Sequence, residues 1–326
     1  MGSAIRMAAL AAMAAAASFA TAQAAGPKEP RLVFLNGMKV MLADADGRNL
    51  KTLVDTPPPP GQQRGGGLYD GVAYDPARKQ IYWTDMGRAN ADDGTVQRLD
   101  VSGGSPVMVV KPGGAFTPKQ IKLDTAHGKM YWSDREGMKI MRANLDGSNI
   151  ETLVVTGAGE ADRKDAAHWC VGIALDVARG KVYWTQKGPD DGGKGVIRRA
   201  NLEIPKGQTA ASRTDIETLF AGLPEPIDLD LDLSKRLIYW TDRGDNTVSR
   251  APMDPAKGYD PAHRTDRKIL VTGLKEAIGI ALDLPRNRMF YTSLGGELGV
   301  ARLDGSGAHM LFTDMRALTG ITLVDP

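Results

Sequence analysis

The pentapeptide Ile81-Tyr82-Trp83-Thr84-Asp85 returns four times in this chain, and no other feature constrains the fold as tightly. Its copies are Met130-Tyr131-Trp132-Ser133-Asp134, Val182-Tyr183-Trp184-Thr185-Gln186, Ile238-Tyr239-Trp240-Thr241-Asp242 and a degraded Met289-Phe290-Tyr291-Thr292-Ser293. The starts lie 49, 52, 56 and 51 residues apart. An aspartate stands seven residues before the first aromatic each time: Asp75, Asp124, Asp176, Asp232 and Asp283. Such a period marks stacked or radial structural units.

Tyr-Trp-Thr is rich in β-formers, so each copy is expected to be a strand. Alternation sends Tyr and Thr to one face, Trp and Asp to the other. Both faces then carry an aromatic and both need cover, as in a sheet packed between two similar sheets. Each Trp removes ~150–250 Å² from water, worth several kcal/mol at ~25 cal/mol per Å². Tyr82, Trp83, Asp85, Tyr131, Trp132, Asp134, Tyr183, Trp184, Tyr239, Trp240 and Asp242 are therefore assigned to the framework.

A strand precedes the motif in five units: Gly71–Asp75, Gln120–Asp124, Gly172–Asp176, Asp228–Asp232 and Gly279–Asp283. A third strand follows, carrying Arg98, Arg142, Arg199, Arg250 or Arg302, and then a fourth. Arg31–Val54 is a sixth, partial unit with Val33-Phe34-Leu35-Asn36 in the motif's place and no strand before it. The chain ends on a strand of the missing kind, Gly320–Asp325, with no motif after it. Six units of four strands, the last strand completing the first sheet, describe an all-β, six-bladed β-propeller closed into a ring.

The chain resembles the YWTD family, the LDL-receptor class B repeats. Tyr-Trp-Thr-Asp stands unaltered at Tyr82–Asp85 and Tyr239–Asp242, and the turns Leu145-Asp146-Gly147 and Leu303-Asp304-Gly305 fit the same pattern. The resemblance covers the whole chain after its leader. It implies six blades and, as in animal receptors, protein binding on one propeller face. It implies no enzyme activity. Those receptors carry cysteine-rich modules and a membrane helix, which this sequence lacks, so it is similar to a free-standing, secreted, bacterial-type member.

Residues 1–24 read as a secretory signal: Arg6, an apolar run from Met7 to Ala20, and the cleavage site Ala22-Gln23-Ala24. Residues 25–326 are expected to form one domain, secreted or periplasmic, monomeric and without a membrane span. With 41 basic and 39 acidic residues, charge gives no argument for nucleic acid or an anionic membrane as partner. Cys170 is the single cysteine, which excludes an internal disulfide and a cysteine-lined metal site. It is expected to be a buried small hydrophobe.

Long loops on a rigid scaffold are where binding resides. Thr56–Asp70, Thr156–Val171, Met86–Thr95 and Lys187–Val196 are long; Ala221–Ile227, Thr272–Ile278 and Asp314–Thr319 are short. The elaborated rim therefore belongs to blades 2–4. Asp92-Asp93-Gly94 and Asp190-Asp191-Gly192 lack the alternating oxygen ligands of a calcium loop and read as turns. His127, His263 and His309 fall in turns or outer strands. No nucleophile elbow, zincin helix, Walker loop or Rossmann fingerprint occurs. No cofactor or metal is expected.

The candidate ligand-binding residues are Tyr69, Asp70, Lys119, Gln120, Lys122, His168, Trp169, Glu225, Asp228, Asp230 and Glu276. One face of the innermost strands is small, with Gly71 and Ala73, Gly172 and Ala174, Gly279 and Ala281, Gly320 and Thr322, where strands crowd around the axis. Gln120 and Lys122, and Asp228 and Asp230, break that rule. Buried charges need partners, so these are expected either to pair across the channel or to meet a small polar ligand at its mouth together with Lys119 and His168. Glu225 and Glu276 occupy matching rim positions and are a candidate carboxylate pair. The expected function is a binding or scaffold propeller for a protein, peptide or small polar ligand. The alternative is a lactonase-like or strictosidine-synthase-like hydrolase or lyase working at the channel mouth.

Overall fold

The computed structural model describes residues 28–56 and 67–325. The expected signal, residues 1–24, and the proline run Pro57–Pro60 lie outside them. The described residues form six four-stranded antiparallel sheets. Blade 1 holds β1 (Arg31–Asn36), β2 (Lys39–Asp44) and β3 (Lys51–Asp55). Blade 2 holds β4 (Tyr69–Asp75), β5 (Gln80–Asp85), β6 (Gly94–Asp100) and β7 (Val107–Ala115). Blade 3 holds β8 (Pro118–Asp124), β9 (Lys129–Asp134), β10 (Lys139–Asn144) and β11 (Glu151–Val155). After the short helix α1 (Gly159–Lys164), blade 4 holds β12 (Cys170–Asp176), β13 (Lys181–Gln186), β14 (Gly195–Asn201) and β15 (Glu217–Leu223). Blade 5 holds β16 (Pro226–Asp232), β17 (Leu237–Asp242), β18 (Thr247–Pro252) and β19 (Lys268–Val271). Blade 6 holds β20 (Ala277–Asp283), β21 (Arg288–Ser293), β22 (Leu298–Arg302) and β23 (His309–Phe312).

The last strand, β24 (Leu318–Val324), pairs antiparallel with β1 and is the innermost strand of blade 1. Each innermost strand packs on the next around the axis, from β4 through β8, β12, β16 and β20 to β24 and back to β4. The ring thus closes as the leftover strand requires.

The core lies between blades. In each interface the residue at the motif's Tyr position meets the residue at the Trp position of the next blade. The pairs are Val33 with Trp83, Tyr82 with Trp132, Tyr131 with Trp184, Tyr183 with Trp240, Tyr239 with Tyr291, and Phe290 with Phe34. Both faces of every sheet are therefore covered. The upstream aspartates hold the turn into the motif strand: Asp75 accepts the N–H groups of Ala77 and Arg78 at 3.0 and 3.1 Å, and Asp232 that of Lys235 at 3.0 Å.

The motif hydroxyl links the blades. Thr185 Oγ1 accepts the N–H of Gly172 in its own blade at 2.8 Å and donates to the carbonyl of Ile227 in the next at 2.5 Å. Thr84 donates to Lys119, Ser133 to Val171, Thr241 to Ile278 and Thr292 to Thr319 in the same way. Blade 1 has Leu35 at this position. Thr319 on β24 supplies the hydroxyl instead and donates to Tyr69 of blade 2 at 2.7 Å.

The small residues of the inner strands have a close-approach reason. A Cβ on Gly71, Gly172, Gly279 or Gly320 would stand within 2.4 Å of a backbone oxygen of the neighbouring inner strand. Thr156–Val171 is not a plain loop, since it contains α1 and a turn of 3-10 helix at Ala166–His168. Nor is Ala221–Ile227, because β15 runs on to Leu223 and β16 begins at Pro226.

Thr185→Val removes a buried donor and acceptor at once and should cost ~2–4 kcal/mol in urea unfolding, the sum of two hydrogen bonds and the groups they leave unpaired. A loss below ~1 kcal/mol would show that the hydroxyl link carries no stability. Deleting residues 318–326 removes β24 together with the Thr319 link. The truncated chain should be insoluble or melt far below the full chain, and equal melting temperatures would contradict closure by β24.

Candidate functional site

Every inner strand of blades 2–6 shifts register opposite the motif hydroxyl, for example between Tyr69 and Val72 or between Pro118 and Ile121. Such a bulge re-aims the residues it spans. It turns the second residue of each inner strand, Asp70, Lys119, Val171, Ile227 and Ile278, into the mouth of the central channel. The residue directly after each motif joins them: Met86, Arg135, Lys187, Arg243 and Leu294. Together with Leu68 these line a cavity of about 100 Å³. Its floor is apolar, with Val171, Ile227 and Ile278 packed on Leu294. Lys119, Arg135, Lys187 and Arg243 stand above it.

Each cation has a carboxylate. Lys119 donates to Asp70, whose other oxygen accepts Gln120 Nε2 at 3.1 Å. Burial pulls Lys119 below its ordinary pKa, against the attraction of Asp70. Arg135 Nε lies 2.8 Å from Glu136 and its guanidinium 4.9 Å from the ring of Trp169. The buried Glu225 accepts Lys187 Nζ at 2.5 Å and Arg243 Nη2 at 2.7 Å. Asp190, on the hairpin after β13, accepts the same two cations at 2.6 and 2.9 Å. Its hydrogen bond to Lys187 holds its carboxyl below the usual range. The cavity is continuous through Leu68, Met86 and Arg135 with a groove of about 200 Å³ between blades 2 and 3.

Of the expected site residues, Asp70, Lys119, Gln120 and Glu225 meet at the mouth, and Trp169 stands at its rim. Tyr69 does not belong. It is the residue before the bulge, and its ring packs 5.9 Å from Trp83 in the core between blades 1 and 2. His168 also stays away: its Nδ1 bonds the carbonyl of Thr156 and its Nε2 lies 3.7 Å from Asp162, all within one loop. Arg243 bridges Glu225 and Glu276, at 2.7 and 3.6 Å.

Lys122, Asp228 and Asp230 are not at the mouth. Lys122 is three residues beyond Lys119, ~10 Å at the rise of a strand. Its Nζ reaches past the small Ala174 of blade 4 to Asp230 at 3.7 Å. Asp228 and Asp230 accept the N–H groups of Ile280 and Leu282 at 3.2 and 3.1 Å, which fastens blade 5 to blade 6. The polar channel thus has two levels: Lys122 pairs with Asp230 across it, the first of the two arrangements expected, and Lys119 meets Asp70 at its entrance.

A cavity of about 380 Å³ lies on the opposite face, lined by Glu29, Arg31, Asp44, Asp46, Arg48 and Arg288 among others. Its charges pair among themselves, as in Arg48 with Asp46 at 2.7 Å, and its floor lacks an apolar ring. Among the described residues no group of three His, Cys, Asp or Glu side chains stands in metal-holding geometry. Asp190 is bound by cations and Asp93 by Arg88 at 2.7 Å.

No family profile matches the sequence. The chain is 40% identical over 296 residues to a protein of Pyricularia oryzae named low-density lipoprotein receptor-related protein 1, covering 88% of this chain and 92% of that one. It belongs to the low-density lipoprotein receptor-related family of YWTD-type propellers. This YWTD propeller is also 40% identical over 267 residues to the 3-hydroxyacyl-CoA dehydrogenase-like protein LAM1 of Cochliobolus heterostrophus. That match covers 78% of the propeller chain, which spans only 56% of the length of LAM1. Among solved structures, a chain of a nidogen/laminin complex superimposes with a TM-score of 0.67 at 21% identity, covering 90% of the YWTD propeller and 98% of that chain. At that identity the likeness shows the fold alone.

Burial pushes Asp228 up to about 7 in spite of Lys122. Its value in an unfolded chain is ~4. A raised folded value means that its stabilising contribution is complete below pH ~4 and lost as pH climbs through ~7. Asp228→Asn cannot ionise, so its stability relative to the parent should rise by a few kcal/mol between pH 4.5 and 8, at ~1.4 kcal/mol per pKa unit. Urea unfolding at the two pH values measures this, and an unchanged difference would show that Asp228 does not titrate in that window.

Proposed function

We propose that this chain is a secreted, monomeric binding propeller whose ligand, a protein or peptide, docks over the channel mouth on the face that carries the long loops. The observation that carries the reading is the convergence of Lys119, Arg135, Lys187 and Arg243, from three successive blades, above the apolar floor of Val171, Ile227, Ile278 and Leu294. A concave site with an apolar base and a few placed polar groups is the general form of a ligand pocket. The groove toward Gly67, Gly87 and Thr117 extends it outward and suits a chain-like ligand. The occurrence of a fold relative in a nidogen/laminin complex supports a protein as the occupant. The signal-like pattern of residues 1–24 supports secretion, and no described helix is long and apolar enough to cross a membrane. The hydrolase alternative rests on likeness of fold, since Glu225 and Glu276 are both engaged by Arg243.

The test is affinity capture from the surrounding medium of the source cells with immobilised protein, comparing the parent chain, Arg135→Glu at the mouth, and Val107→Glu on the outer strand of blade 2. The mouth variant should lose its partner at least ~10-fold, as for a central contact of an interface, while its melting temperature stays within a few degrees. Equal capture by Arg135→Glu and the parent would place the partner elsewhere on the propeller.

A further inference from the structure

The mouth contains one carboxylate unlike the rest. Asp70, Glu136 and Glu225 are buried or nearly so, whereas the side chain of Asp190 is 76% exposed. Its partners are not: Lys187 keeps 6% of its side chain exposed and Arg243 24%. Charge balance explains why an exposed acid is held there. Glu225 uses a single oxygen, Oε1, for both Lys187 and Arg243. One buried carboxylate cannot neutralise two cations. Glu276 approaches only Arg243, at 3.6 Å. Asp190 supplies the second negative charge, with Oδ1 shared between Lys187 at 2.6 Å and Arg243 at 2.9 Å.

The segment carrying Asp190 is a tight turn at the surface. It is the hairpin between β13 and β14, and Gly188, Asp191 and Gly193 in it take φ values of +72°, +48° and +61°. It lies over Gly244 of blade 5, where a Cβ would come within 3.0 Å of Asp191 Oδ1. The matching hairpin of blade 2 behaves differently. There Asp93 bonds Arg88 of the same hairpin and does not reach the mouth.

We propose that Asp190 is an in-chain stand-in for the carboxylate of an acidic ligand: it occupies the anion position between Lys187 and Arg243, and a ligand carboxylate takes its place when the hairpin swings out. The inference rests on the mouth being the binding site and specifies the ligand chemistry there. The exposed side chain of Asp190 lets solvent and a ligand reach the pair, and the incoming carboxylate finds both cations already positioned by Glu225. The apparent affinity is then reduced by the fraction of molecules in which Asp190 is docked. Removing its charge removes that competition without touching either cation.

The experiment measures binding of three probes by calorimetry to the parent chain, to Asp190→Asn, and to Asp190→Asn combined with Arg243→Gln. The probes are acetyl-Gly-Glu-Gly-amide, its Gln counterpart, and glutarate. Asp190→Asn should bind the Glu peptide roughly 5- to 20-fold more tightly than the parent, the gain expected if the docked form dominates. The Gln peptide should show no gain, and the double variant should lose it. A gain for glutarate alone assigns the site to free organic acids, and a gain for the Glu peptide alone to acidic side chains of a protein. Equal affinity of parent and Asp190→Asn for both acids, or no binding of either acid to any variant, overturns the stand-in. So does an equal gain for the Gln peptide. The mouth itself is judged separately, by capture with Arg135→Glu, so the failure of one reading is distinguishable from the failure of the other.

Discussion

A single hydroxyl ties each blade to the next. It sits at the Thr or Ser position of the motif and donates to a carbonyl of the following blade's inner strand, and in Thr185 it also accepts an N–H from its own. Both partners are buried, where an unmade hydrogen bond costs more than a made one gains. The link works only if inner strands touch, and they touch because Gly71, Gly172, Gly279 and Gly320 leave no side chain between them. Blade 1 shows how strongly the ring depends on it: where Leu35 cannot serve, Thr319 of the closing strand does.

The same geometry creates the site. Opposite the motif hydroxyl the inner strand bulges, and the bulge swings its second residue into the channel mouth. Fifth residues lie deeper. Lys122 and Asp230 therefore meet within the channel, while Lys119 and Asp70 meet at its entrance. The lower level acts as a fastener, since Asp228 and Asp230 accept backbone N–H groups of blade 6. The upper level combines cations with an apolar floor and opens outward.

Much of this was legible in residue order. The repeat, its offset aspartates and the unmatched final strand sufficed for six blades and for the closure. Asp70, Lys119, Gln120, Glu225 and Trp169 were legible as parts of the mouth and its rim. Arg135, Lys187 and Arg243 leave a subtler signal: each directly follows a motif copy, and three successive blades carry a base there. Tyr69 packs on Trp83 in the core because it precedes the bulge, and the hydrogen bonds that hold His168 within its own loop leave no periodic trace in the sequence.

By itself, then, the sequence determined the architecture and the family, because a fifty-residue pattern of aromatics and small residues satisfies only radially packed sheets. Which charges meet was decided by tertiary structure alone. Lys187 and Glu225 are 38 residues apart, and Arg243 and Asp190 are 53 apart. In neither pair do the two residues hold the same position in their repeats. Those pairs exist because adjacent blades converge on one axis, and a short backbone shift in each inner strand selects which side chain reaches it.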